Sequence, residues 1–200
     1  AFKSRANQVW FPGETVIAGI GQGYWVVTPL QLAQGTAMLA GDGWLRRPHL
    51  VRATQAGFGA PRVPVPQPAP QRVVAEAAHL AAVNDGLFAT MHGPTGTGQR
   101  AAAGAWYRMA GKTGTAQRVG RRGTERLDPN ALPYHLRHQA LFVGFAPAEA
   151  PTIALALVVE HGGSGSGAAA PVARRILDAW MGPPPAAAPA AEPASEAVPP

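Results

Sequence analysis

The apolar positions of this chain follow helical spacing in three stretches and strand spacing in three others. Thr28 is suited to cap a helix, Pro29 to its first position, and Gln31 to reciprocate three residues after the cap. Leu30, Ala33, Ala37 and either Met38 or Ala40 then form an apolar stripe, and Gly41-Asp42-Gly43 ends the helix. A second helix is predicted from Gln71 to about Asn84, burying Val73, Val74, Ala77, Leu80 and Ala81, with Gly86 as its stop. A third runs from about Pro171 to Met181, with Val172, Ile176, Leu177 and Trp180 on one side and Gly182 and prolines behind it.

Between the second and third helices the pattern turns extended. A short element is expected around Trp106 to Gln117, then clearer strands over Ala140 to Phe145 and Thr152 to Glu160. The Ala146 to Pro151 link is short enough for a hairpin turn. Because Ile153 to Val159 is continuously apolar, that strand should be covered on both faces, by the first and last helices. Glycines from Gly162 to Gly167 read as a flexible turn. Helices first, strands late and a closing helix make an α+β domain: an antiparallel sheet flanked by helices.

Two stretches stand apart by composition. Gly57 to Gln71 carries prolines at 61, 64, 66, 68 and 70, which favour an extended connector within the body of residues 1–182. Residues 183–200 are almost wholly Pro and Ala and offer little to bury, so they are expected to be a disordered tail without a catalytic role. No apolar run is long enough to span a bilayer, so an export signal or anchor is expected upstream of Ala1.

With no cysteine, the chain has no disulfide, thiolate metal site or cysteine nucleophile. His135 and His138 are three apart, but without a His-Glu-x-x-His pattern or a cysteine partner no metal site is expected, and no cofactor. The acidic residues show no pair suited to glycoside hydrolysis. Net charge is +6, from 17 basic and 11 acidic residues. Arg100, Arg108, Lys112, Arg118, Arg121, Arg122 and Arg126 gather the positive side against Glu125 alone. Such a field suits a carboxylate substrate, an anionic polymer or phosphates. Nucleic acid is not expected, since the cluster lacks interleaved aromatic platforms and no helix-turn-helix or finger spacing occurs. Trp10 and Trp44 are expected to be packing anchors, and Tyr24 and Trp25 to be buried against the neighbouring helix.

The strongest local signal is Gly111-Lys112-Thr113-Gly114-Thr115. A phosphate-binding loop would need glycine where Trp106 stands, and a helix start after Thr113; Ala116 to Arg121 is no helix start. By itself the triplet is equally a glycine turn after an exposed lysine. The other reading is a Lys-Thr-Gly strand on the rim of a serine acyl-transfer cleft. Lys112 would favour the anionic forms of reacting hydroxyls and anchor a carboxylate. Thr113 would donate its hydroxyl to that carboxylate, and Gly114 would let substrate approach the backbone. The Thr115 amide would form one half of an oxyanion hole, and its hydroxyl a second carboxylate contact.

The surroundings favour that second reading. Ala110 to Gln117, Gly19-Ile20-Gly21-Gln22-Gly23-Tyr24-Trp25, Thr28-Pro29-Leu30-Gln31-Leu32-Ala33, Ala140 to Pro147 and Val158 to Gly163 occur in the order found in the elongation-type class B penicillin-binding proteins. The chain resembles that family from near Phe2 to Met181. Asn84-Asp85-Gly86 through Gly96-Thr97-Gly98 is similar to the family's approach to the Lys-Thr-Gly strand, although Gly98 stands where alanine is usual.

The resemblance implies part of a domain of the serine β-lactamase and penicillin-binding transpeptidase fold. It also implies a peptidoglycan D,D-transpeptidase that cross-links stem peptides ending in D-Ala-D-Ala during elongation and is acylated by β-lactams. Lys112 and the Thr115 amide would be catalytic, and Thr113, Gly114 and Thr115 substrate-binding. Expected partners are stem peptides, β-lactams and a membrane-embedded glycan polymerase, with the segment in the periplasm of an inner-membrane protein. Alternatives are a β-lactamase, a β-lactam sensor of the same fold, or a non-catalytic cell-wall scaffold. Ser4, Ser164, Ser166 and Ser195 fit neither Ser-x-x-Lys nor Ser-x-Asn. Both motifs are therefore expected upstream, leaving these 200 residues inactive by themselves.

Overall fold

The computed structural model describes residues 9–74, 76–117 and 132–185. The expectations for the tail over 186–200 and for Arg118, Arg121, Arg122 and Arg126 lie outside the described residues. A short helix, α1 (Pro12–Gly19), precedes anything the apolar pattern announces. Pro12 opens it, and the Phe11 N–H donates to Glu14 Oε2 at 2.8 Å.

Helix α2 (Pro29–Ala40) starts as its sequence dictates. Gln31 N–H donates to Thr28 Oγ1 at 3.2 Å, and Thr28 N–H donates to Gln31 Oε1 at 2.8 Å. It stops at Asp42 (φ 53°) and Gly43 (φ 80°). A Cβ on Gly43 would lie 2.2 Å from the Val74 carbonyl oxygen, so only glycine fits there. The predicted stripe on α2 holds only in part: Ala33, Met38 and Ala40 are half-buried, but Leu30 is 61% exposed and Ala37 is exposed. The inward face is instead centred on Thr36, whose hydroxyl satisfies itself on the Leu32 carbonyl at 2.8 Å. A polar residue can turn inward when its own helix supplies the acceptor.

Residues 44–72 form two short antiparallel ladders. β1 (Trp44–Leu45) pairs with β4 (Gln71–Arg72), and β2 (Ala53–Thr54) with β3 (Val63–Pro64). The helix expected from Gln71 is therefore corrected. Val73 N–H donates to the Gly43 carbonyl at 2.9 Å, which holds this stretch extended. Helix α3 begins only at Ala77 and runs to His92, straight through Gly86. A mid-helix glycine costs about 1 kcal/mol, too little to end a helix that packs. Leu80 is buried as predicted, whereas Val73, Ala77 and Ala81 are exposed.

After the single turn α4 (Gln99–Ala102) come β5 (Ala110–Ala116), β6 (Gln139–Ala146) and β7 (Ile153–Val159). They form an antiparallel sheet in that order, with Thr113 opposite Phe142 and Phe142 opposite Leu157. The extended and hairpin readings of the sequence agree with this. Ala140, Phe142, Ala146 and Leu155 alternate onto one face, where Ala173 and Leu177 of α5 (Ala170–Met181) join their core. Full burial of side chains such as Phe142 and Leu177 contributes roughly 1.5–3 kcal/mol each. α2 takes the opposite face over β6 and β7, and α3 lies along β5.

Two expectations about the last elements change. The glycine segment forms a π-type turn, Gly165–Ala169, that leads directly into α5. On α5, Ala173 and Leu177 point inward, while Val172 and Ile176 are 41% exposed and Trp180 is 60% exposed. Alanine lets the helix backbone settle close to the sheet, which a row of large side chains would prevent. Trp10 and Trp44 are not buried anchors either; they are 53% and 40% exposed.

Candidate active site

Among the described residues β5 is an edge strand, paired with β6 on one side only. In an antiparallel ladder the N–H and C=O of one residue point to the same side, and the side alternates along the strand. The structure fixes the phase. Arg108 C=O accepts from Ala148 N–H on the β6 side at 2.9 Å, so even-numbered residues face β6. Odd-numbered residues face outward. Met109 faces the His92 ring, whose Nε2 lies 3.0 Å from its carbonyl oxygen and 3.3 Å from its nitrogen; the tautomer selects one bond. Thr113 C=O accepts from Lys112 Nζ at 2.7 Å, and Thr115 C=O accepts from Gln22 Nε2 at 2.9 Å. The Thr113 and Thr115 N–H groups therefore open onto the unpaired rim.

The side chains alternate on the other axis. Lys112 is exposed, on the sheet face shared with Val143, while Thr113 is buried on the Phe142 face. There its hydroxyl lies 2.7 Å from Thr97 Oγ1, with either oxygen able to donate. Gly114 is confined on both faces. A Cβ on it would meet Leu141 Cβ at 3.3 Å, and from behind Gly165 sits flat on its backbone. So the structure brings Lys112, Thr113, Gly114 and Thr115 together on one rim, with Thr113 turned toward Thr97.

Before β5, Tyr107 hydroxyl donates to Asp178 Oδ1 at 2.8 Å, and Arg174 Nε donates to the same oxygen at 2.7 Å. Burial, chiefly, and the bond to Asp178 push the Tyr107 phenol above its ordinary range. Burial alone would raise the Asp178 carboxyl, but the Arg174 and Tyr107 hydrogen bonds outweigh it and hold the group below the usual carboxylate range. This trio ties α5 to the segment entering β5 and lies outside the rim chemistry.

Tyr24 and Trp25 are not buried against α2. They are 46% and 64% exposed, and with Trp10, Glu14, Ile17 and Gln22 they line a cavity of about 560 Å³ beside α1. Sequence reading assigned no role to Gln22, Thr97, His92 or Gly165. Gln22 lies inside the Gly19–Trp25 motif, between two glycines, but nothing local tells that its carboxamide reaches a strand 93 residues away. Gly98, where the resembling family usually has alanine, has its space taken: a Cβ there would lie 2.3 Å from Met91 Sδ.

The profile of the penicillin binding protein transpeptidase domain matches residues 3–178. The chain belongs to that family. Peptidoglycan D,D-transpeptidase MrdA of Haemophilus influenzae is 35% identical over 181 residues, 90% of this chain and 27% of the relative. MrdA of Escherichia coli K12 is 34% identical over 180 residues, 90% of this chain and 28% of the relative. The chain thus spans under a third of the length of these curated relatives. Among solved structures, Pseudomonas aeruginosa penicillin-binding protein 2 in complex with WCK 5153 superposes with a TM-score of 0.69 at 44% identity, over 88% of this chain and 34% of that one. The Helicobacter pylori penicillin-binding protein 2 complexed with MreC gives 0.69 at 27% identity, over 89% and 29%. The fold is therefore the transpeptidase fold of the penicillin-binding proteins, and the resemblance to the elongation-type branch agrees with these relatives.

Proposed function

We propose that the whole protein is a peptidoglycan D,D-transpeptidase of the elongation type, and that residues 1–182 are the C-terminal part of its transpeptidase domain. A serine supplied from elsewhere in the protein attacks the penultimate D-Ala carbonyl of a donor stem peptide. The amide C–N bond breaks, terminal D-Ala leaves as the protonated amine, and an acyl-enzyme remains. An amine of a second stem then attacks the ester and releases the serine, completing the cross-link.

What carries this reading is the rim of β5 itself: Lys112-Thr113-Gly114-Thr115 on an edge strand, with the outward phase at 113 and 115. The Thr115 N–H, open on the rim, would serve as one donor to the tetrahedral oxyanion. Lys112 supplies positive charge beside the reacting hydroxyls, and Thr113, Gly114 and Thr115 receive the substrate carboxylate and backbone. The Thr113 hydroxyl is hydrogen-bonded to the Thr97 hydroxyl; when Thr97 donates, the Thr113 proton is left for another acceptor. The partners are stem peptides, β-lactams, a membrane-embedded glycan polymerase and a MreC-like protein, with this segment in the periplasm and the anchor in the inner membrane.

The test is covalent labelling of the full-length protein by a fluorescent penicillin. Lys112→Ala is expected to slow acylation about a hundredfold, the loss of roughly 3 kcal/mol of transition-state stabilisation. Absence of any adduct on the parent protein refutes the function. Acylation of Lys112→Ala at the parent rate refutes the role of the lysine.

A further inference from the structure

We propose that Gln22 is a positioning residue that aims the Thr115 N–H, a role that rests on the transpeptidase reading above. Thr115 is the penultimate residue of β5, and among the described residues only the Ala116–Gln139 pair lies beyond it in the ladder. Strand ends open at little cost, so a donor there is poorly fixed by the sheet alone. An oxyanion donor must be held within about 0.5 Å and 10–20° to be useful. Gln22 Nε2 supplies the missing constraint from outside, by donating to the Thr115 carbonyl at 2.9 Å. Carbonyl and N–H leave the same residue on the same side, so holding one limits the swing of the other.

The loop around Gln22 is built for this reach. Gly21 (φ 74°) and Gly23 (φ 81°) flank it in the left-handed region, where side chains are strained. Gln22 N–H donates to the Ile17 carbonyl at 3.1 Å and Gly21 N–H to Ala18 at 3.0 Å, so the backbone is fastened to the end of α1. The carboxamide is left to extend toward β5 from a rigid base. Asparagine is one methylene shorter, and glutamate has the length without the N–H.

The experiment uses the full-length protein and a fluorescent penicillin, with non-covalent binding and the acylation rate constant resolved separately. In Gln22→Ala the acylation rate constant is expected to fall about fivefold to tenfold, the worth of one hydrogen bond, while the dissociation constant stays within about twofold. Gln22→Glu is expected to lose as much at neutral pH. Its rate relative to the parent should recover as pH falls through about 5 to 4, where the introduced carboxyl gains a proton and can donate to the carbonyl. A role in folding alone would make the melting temperature of Gln22→Glu recover together with its rate, whereas a positioning role leaves its melting temperature parallel to the parent's over that pH range. Should Gln22→Ala melt well below the parent, the rate and the melt of Gln22→Glu read together still decide. Parent-like rates in both variants overturn the proposal, as does a flat ratio. Tighter binding in Gln22→Ala also overturns it, since Gln22 would then be obstructing the carbonyl. Failure of the parent protein to form an adduct overturns the transpeptidase reading, and this inference with it.

Discussion

Replacing Gly165 with alanine tests whether the π-type turn seats on the rim strand. A Cβ at that position would lie 2.4 Å from the Leu141 carbonyl oxygen, 2.5 Å from the Gly114 oxygen and 2.7 Å from the Gly114 nitrogen. All three are backbone atoms of paired strands, so none can rotate away as a side chain would. To approach ordinary contact near 3.5 Å, the turn must lift by roughly 1 Å. Overpacking of this kind costs about 1–3 kcal/mol, and the stiffer unfolded chain returns about 0.4–1 kcal/mol. The net of about 1–2 kcal/mol lowers the melting temperature by roughly 3–6 °C in a domain of this size. Because the push lands on the residue before Thr115, acylation by penicillin should slow more than binding weakens. Thermal melts and single-turnover acylation of the full-length variant measure both. A Gly165→Ala protein that melts and acylates like its parent would refute the seating of the turn on Gly114.

Two other substitutions probe stability alone. Gly86 lies within α3, and a Cβ there meets nothing within 4 Å among the described residues, so Gly86→Ala should raise stability by about 0.5–1 kcal/mol in a denaturant titration. Asp178 is held below its ordinary range, so its contribution is complete above the unfolded value near 3.9 and fades as pH falls through the lower folded value. Melts of Asp178→Asn and the parent should therefore differ at neutral pH and converge on acidification; a constant gap would contradict the assignment.

The elements easiest to read were those specified locally. The Thr28–Gln31 capping box needs four consecutive residues, and the β6–β7 hairpin needs only its apolar runs and a short link. Errors arose where a partner far along the chain decided the outcome. Residues 71–74 read as helix until Gly43 and β1 take their hydrogen bonds. On α5 Leu177 is buried as expected, but Val172, Ile176 and Trp180 are not, because close approach to the sheet selects Ala173 as its inward neighbour. The site divides in the same way. Lys112, Thr113, Gly114 and Thr115 are contiguous and so legible, whereas Gln22, Thr97 and Gly165 gain meaning only once the sheet brings them to that strand.

The rim of β5 carries a hazard as well as a function. An edge with alternate N–H and C=O groups facing outward is a template on which any stray strand can add, including one from another copy. The backbone at Met109, Thr113 and Thr115 is met by side chains, from His92, Lys112 and Gln22 in turn. These three contacts occupy sites that an invading strand would need in register, yet leave the Thr113 and Thr115 N–H groups accessible to a short peptide. The same side chains that shape the rim thus guard against self-association, so substitutions at Gln22 or His92 should be watched for aggregation during purification as well as for lost activity.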